Sequence, residues 1–218
     1  MVTRGRGKRL WAWRAHRALP GDSATSPVGI MNVLAVAGSL RAASINAAFC
    51  RAASRLAPPG LHIAVWDALG SLPPYNADLE SEPPRTVTVF REAIGTRDAL
   101  IIASPEYAHG ISGVLKNALD WLVSYEPFVA MPVAVINTSP RAHHAYDSLL
   151  EVLKTMTATL IHEASISVPL LGGCTTEAQM VSTPAIALQI RGSLVALHTF
   201  LLSGGQRAQA FQLSRDDA

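Results

Sequence analysis

"VLAVAGSLRAASINAAF", residues 33–49, runs five apolar residues into a loop that carries one guanidinium and three small polar side chains. Val33 to Ala37 has the length and unbroken apolar character of a strand buried on both faces. Ile45, Ala48, Phe49, Ala52, Ala53 and Leu56 then recur at helical spacing, until "APPG" at 57–60 stops the helix. Strand, abrupt polar loop and helix together open a βαβ unit.

The rest of the chain repeats that alternation. Further strands are predicted at His62 to Trp66, Ala99 to Ala103, Val133 to Asn137 and Leu160 to Val168. Pro83 and Pro84 suit the first turn of a second helix, with Val87, Phe90 and Ile94 inward. Val114 to Val123 marks a third. Tyr146, Leu149, Leu150, Leu153, Met156 and Leu160 mark a fourth. Thr183 and Pro184 start a fifth, with Ile186, Ile190, Leu194, Leu197 and Leu201 on one stripe. The expected fold class is α/β: a flavodoxin-like three-layer sandwich around a five-stranded parallel sheet, order 2-1-3-4-5. Such sheets bind ligands at the carboxyl ends of their strands, beside the switch point between strands 1 and 3. The loops that follow residues 37, 103 and 137 are therefore the ones to inspect.

The chain has 218 residues, 49% hydrophobic and 16% charged, which suits one domain with a sizeable core. Its apolar runs read as strand-sized, short of the roughly 20 residues of a membrane span, so a soluble protein is expected. The formal charge of +2 averages two unlike parts. Residues 1–30 hold six Lys or Arg against Asp22 alone, which leaves 12 basic and 15 acidic residues, a net of −3, in the remainder. The basic segment lacks the unbroken apolar stretch of a secretory signal. It reads as a disordered extension, a transit peptide or nucleic-acid arm being the other uses of such a composition. Residues 31–202 form the expected domain and 203–218 a polar tail. Cys50 and Cys174 make no metal or redox spacing, so free thiols in a reducing, cytoplasmic setting are expected.

The first loop lacks both G-x-x-x-x-G-K-[ST] and G-x-G-x-x-G, which argues against a nucleoside triphosphate or a dinucleotide there. A helix N-terminus with Ser39, Ser44 and Asn46 as hydrogen-bond donors and Arg41 as a charged fork suits a single terminal phosphate. The alternative is that Ser44 or Asn46 caps the helix and Arg41 is solvated surface. After the third strand, "SPEYAHGISGVLKNALDWL" carries Glu106 and His109, which could act as acid and base if buried; the favoured role for both is structural. Gly110 and Gly113 suggest unusual backbone geometry or close approach of a flat ligand. Lys116 and Asp120 form an ordinary i,i+4 pair. His143 and His144 are adjacent and diverge on a helix, and no metal site is expected.

In "GSLRAASIN", in "LPPYNADLE" at 72–80 and in "SPEYAHGISGVLKNALDWL", about a third of the chain, the sequence resembles the NAD(P)H-dependent FMN reductases, which include chromate, quinone and azo-dye reductases. The resemblance implies that Ser39, Arg41, Ser44 and Asn46 hold the FMN phosphate and that Pro105, Glu106 and Tyr107 lie along the isoalloxazine. Ser139 stands in the third loop, "NTSPRAHH", which departs from the family by lacking a glycine pair. The implied reaction is a ping-pong hydride transfer from NADPH or NADH through FMN to a small acceptor. The implied assembly is a homodimer or homotetramer, with the helix bearing Trp121 as candidate contact. No catalytic side chain is named, because FMN carries the hard step, and neither nucleic acid nor membrane is an expected partner. The rival readings are a non-enzymatic flavodoxin-type electron carrier and a regulatory FMN-binding protein.

Overall fold

The computed structural model describes residues 29–139, 143–170 and 173–204. Most of the expected basic extension (1–30) and polar tail (203–218) lies outside these, at residues 1–28 and 205–218, as do 140–142 of the third loop and 171–172. In chain order the elements are β1 (Met31–Ala37), α1 (Ile45–Leu56), β2 (Leu61–Trp66), α2 (Arg85–Gly95), β3 (Ala99–Ala103), β4 (Glu106–Tyr107), β5 (Gly110–Ile111) and α3 (Gly113–Asp120). There follow β6 (Pro132–Asn137), α4 (His143–Thr155), β7 (Thr159–Leu160), β8 (Ile166–Ser167), α5 (Glu177–Ser182) and α6 (Pro184–Leu202). Parallel pairing runs β2-β1-β3-β6-β7, with β8 also on β6. This is the expected 2-1-3-4-5 order.

Both faces of the sheet are covered, as the apolar strands require. Val33, Ala35, Ala37, Ile101, Ala103 and Ala134 face a core that includes Phe49, Ala52, Ala53, Ile190 and Leu194 of α1 and α6. Leu34, Val36, Leu100, Ile102, Val133 and Val135 face the other core, with Val87 and Phe90 of α2, Leu115 of α3 and Leu149 of α4. Cys50 lies in the first core, and burial pushes its thiol up to about 12, with the Arg51 charge opposing. Cys174 is partly buried, and both thiols are free.

Three expectations are corrected. Apolar runs are not all strand-sized: α6, at 19 residues, is long and apolar enough to cross a membrane by length and composition, with 28% of its most apolar window buried. Trp121, on the helix expected as a candidate contact, is itself fully buried, and its indole N–H donates to the carbonyl of Pro73 at 2.9 Å. Leu160 belongs to β7 and not to the fourth helix, which ends at Thr155. The last strand, predicted to run unbroken from 160 to 168, divides into β7 and β8 around a turn at 162–164.

Serine chemistry explains that break. Ile161 N–H still donates to Val133 O at 2.9 Å, and Val168 N–H resumes the ladder on Asn137 O at 2.8 Å. Between them the hydroxyl of Ser165 accepts from Val135 N–H at 3.0 Å and donates to Ile161 O at 2.8 Å. A side chain thus fills the rung that the turn removes. Ser165→Ala leaves the Val135 N–H unpaired, and the expected cost is about 1–3 kcal/mol. Urea denaturation measures it; a loss under about 0.5 kcal/mol would contradict the assignment.

Candidate functional site

β1 ends where Gly38 N–H donates to Ala103 O at 2.8 Å. A Cβ at Gly38 would stand 2.9 Å from Ser104 Oγ, 3.1 Å from Ser112 Oγ and 3.2 Å from Leu115 Cβ, so only glycine lets the first loop cross β3 so closely. The loop then folds on itself: Ser39 Oγ accepts Arg41 N–H at 3.4 Å, and Arg41 O accepts Ser44 N–H at 3.1 Å. Ser44 is buried and caps α1, its hydroxyl accepting Ala47 N–H at 3.1 Å. The first turn of α1 contains no acidic residue, so nothing in it offsets the positive end of the helix dipole. Arg41 is exposed, and its guanidinium has no partner among the described residues.

After β3 the chain forms a two-stranded hairpin, β4 paired antiparallel with β5. Left-handed backbone falls on Ala108 (φ 49°) and His109 (φ 59°), and neither Gly110 nor Gly113 has positive φ. The expected glycine geometry is thus displaced by two residues, onto the centre of a turn of the type that joins twisted strands tightly. Glu106 Oε2 accepts the N–H of Ala145 at 2.9 Å and so caps the start of α4 from outside the helix. The His109 and His144 rings meet at a tilt with centroids 4.3 Å apart, and the rings of His143 and His144, expected to diverge, lie only 4.0 Å apart. These contacts support the structural role favoured for Glu106 and His109.

The third loop meets the first through buried polar groups. Thr138 Oγ1 donates to Asn46 Oδ1 at 2.9 Å, and Asn137 Oδ1 accepts Ser139 N–H at 3.0 Å. Ser39, Arg41, Ser44, Asn46, Pro105, Glu106, Tyr107 and Ser139, the eight residues named from sequence, all line one cavity of about 500 Å³. Among the described residues, Ala43, Ile45, Ser104, Thr138 and Thr175 also line it. Thr175 escaped the sequence reading. Its signal was the Thr176-x-x-Gln179 pattern, a capping box that starts α5 and fixes the turn before it.

"LPPYNADLE" contributes no residue to this lining. Asn117 of α3 accepts Tyr75 N–H at 2.7 Å and donates to Pro73 O at 3.0 Å. Arg91 joins Glu80 at 2.7 Å, and its Nε donates to Trp121 O at 2.8 Å; Ser124 donates to the same Glu80 oxygen at 2.6 Å. The motif therefore fastens segment 72–80 to α2 and α3. Burial alone would raise the Glu80 carboxyl, but the hydrogen bonds from Arg91 and Ser124 outweigh it and hold the group below its ordinary value.

Residues 31–170 match the family described as NADPH-dependent FMN reductase. Over 112 residues the chain is 42% identical to an NAD(P)H-dependent FMN reductase of Pseudomonas aeruginosa, an alignment covering 50% of this chain and 60% of that protein. Over 113 residues it is 33% identical to a quinone reductase of Escherichia coli, covering 50% and 60% respectively. The chain thus spans about 60% of the length of these relatives. Among solved structures, a flavoenzyme NAD(P)H:(acceptor) oxidoreductase from Paracoccus denitrificans superposes with TM-score 0.62 at 24% identity. That superposition covers 78% of this chain and 98% of the other, and it shows the shared fold.

The depressed Glu80 carboxyl makes stability pH-dependent. Its contribution is complete above the ordinary glutamate pKa of about 4.3 and is lost as the pH falls through the lower folded value. Glu80→Gln should cost roughly 1–2 kcal/mol at neutral pH and flatten the acid limb of a urea-denaturation series; unchanged acid dependence would contradict the pairing. At the hairpin, Glu106→Gln keeps an acceptor for Ala145 and should leave stability nearly unchanged, whereas Glu106→Ala should cost about 1 kcal/mol. Equal melting curves for the two variants would remove the capping role.

Proposed function

The chain belongs to the NADPH-dependent FMN reductase family, and from that premise we propose that it is an FMN-dependent NAD(P)H oxidoreductase that reduces flavin, quinone or similar small acceptors. The carrying observation is a cavity of about 500 Å³ in which residues from all three carboxyl-end loops meet. Its volume falls within the range of small-molecule and cofactor sites.

The donor set fits the phosphate end of the cofactor. For the phosphate there are the Arg41 guanidinium, the Ser39 and Ser44 hydroxyls and the positive end of α1. Both serines accept a backbone N–H and so keep their own protons for a ligand. Asn46 gives its oxygen to Thr138, which leaves its amide nitrogen as the donor. In this reading Pro105, Glu106, Tyr107 and Ser139 lie beside the ring system, on a hairpin and loop held by Glu106 at the start of α4. Bound FMN would supply the hydride chemistry, taken from the nicotinamide and passed to the acceptor. The chain itself binds, orients and shields, and the two reactants use one cavity in turn, which is a ping-pong order.

The test is the visible spectrum of the purified protein with FMN, followed by NADPH and NADH added anaerobically. Bleaching of the flavin absorbance is expected with at least one of them. A flavin-replete protein that neither nucleotide bleaches would favour the flavodoxin-type carrier instead. Arg41→Ala should weaken FMN binding by about 1.5–3 kcal/mol, and unchanged affinity would overturn the phosphate assignment.

A further inference from the structure

Thr175 reaches the cavity from a segment beyond residue 170, where the family match ends. The turn that carries it is closed on itself. Gln179 Oε1 accepts the backbone N–H groups of Thr175 and Thr176, each at 3.1 Å, together with the Thr176 hydroxyl at 3.0 Å. Thr176 Oγ1 in turn accepts Gln179 N–H at 3.3 Å. The backbone donors of residues 175 and 176 are therefore already used. What this turn still offers a ligand is the Thr175 hydroxyl, which has no partner among the described residues.

The turn is also anchored to the helix whose loop it faces. Glu177 pairs with Arg51 and Arg55 of α1, each at 3.3 Å, and Met180 is fully buried in the core that holds α1. Ser39, Arg41 and Ser44 come from the loop before α1, so α1 is the common frame for both sets of donors. A phosphate monoester has three terminal oxygens with several acceptor sites, and one short loop supplies only part of the matching donors.

We infer that Thr175 donates a hydrogen bond to the anionic group held by the first loop, a terminal phosphate monoester, and that Gln179 is the positioning residue that holds it there. This rests on reading that loop as the FMN phosphate site. Threonine at 175 then joins a phosphate clamp from two separate segments, residues 39–44 and the turn before α5.

The experiment compares FMN with riboflavin, which lacks the phosphate, in fluorescence titrations of the full chain and its Thr175→Val, Thr175→Ser and Arg41→Ala variants. Thr175→Val should weaken FMN about tenfold, leave riboflavin unchanged, and be rescued by Thr175→Ser. Gln179→Ala should weaken FMN in the parent protein and add little in the Thr175→Val background. FMN affinity unaffected by Thr175→Val while Arg41→Ala lowers it would overturn the Thr175 role and leave the loop assignment standing. Equal losses for FMN and riboflavin in Thr175→Val would make its role structural and also overturn it. If Arg41→Ala fails to separate FMN from riboflavin, the phosphate reading of the loop falls, and this inference falls with it.

Discussion

The hydrogen bond from Gly38 N–H to Ala103 O is the last rung between β1 and β3, and the site is built outward from it. Inside that rung β1 is paired on both edges and buried on both faces, so its chain has no freedom until it passes Gly38. Beyond it the loop must turn at once into α1, which packs on one face of the sheet, while the chain leaving β3 turns toward α3 on the other. Two loops that diverge from adjacent strand ends leave a cleft between them. The absence of a Cβ at Gly38 keeps the cleft narrow, because any side chain there would meet Ser104, Ser112 and Leu115.

Polar groups then fix the walls. Asn46 and Thr138 join the first and third loops through a buried hydrogen bond, and Glu106 joins the hairpin to α4. Each satisfies a group that would be costly to leave unpaired away from water. The Arg41 side chain contrasts with them, being exposed and unpaired among the described residues at the uncompensated end of a helix. Walls held by bonds of this kind, with the donors of Arg41, Ser39, Ser44 and Asn46 left for a ligand, are the arrangement expected of an anion site that is rigid before its ligand arrives.

The parts legible from sequence were those governed by burial. Strands apolar on both faces and helices with one apolar stripe gave the order of elements; the loop after β1 pointed to Ser39, Arg41, Ser44 and Asn46 by residue chemistry, the family resemblance added Pro105, Glu106, Tyr107 and Ser139, and all eight line one cavity. The parts that were not legible are those in which a local substitution of one hydrogen-bonding group for another decides the path. Ser165 replaces a strand rung with its hydroxyl, which periodicity does not register, and so one predicted strand became two. The hairpin puts left-handed backbone on Ala108 and His109, where residue preference points to the nearby glycines. The buried indole N–H of Trp121 is satisfied by the carbonyl of Pro73, 48 residues away in sequence. Thr175 lies on a six-residue helix's entry turn, too short for any periodic signal, and only its capping box announces it.

In the proposed complex the first loop and the hairpin hold the two ends of one flavin mononucleotide. A crystal structure with FMN bound is the decisive measurement. Density for the phosphate is expected within hydrogen-bonding distance of Arg41 and Ser44, and density for the ring system beside Pro105 to Tyr107. Phosphate density away from the β1–α1 loop, or a ring outside the cavity that Tyr107 lines, would contradict it.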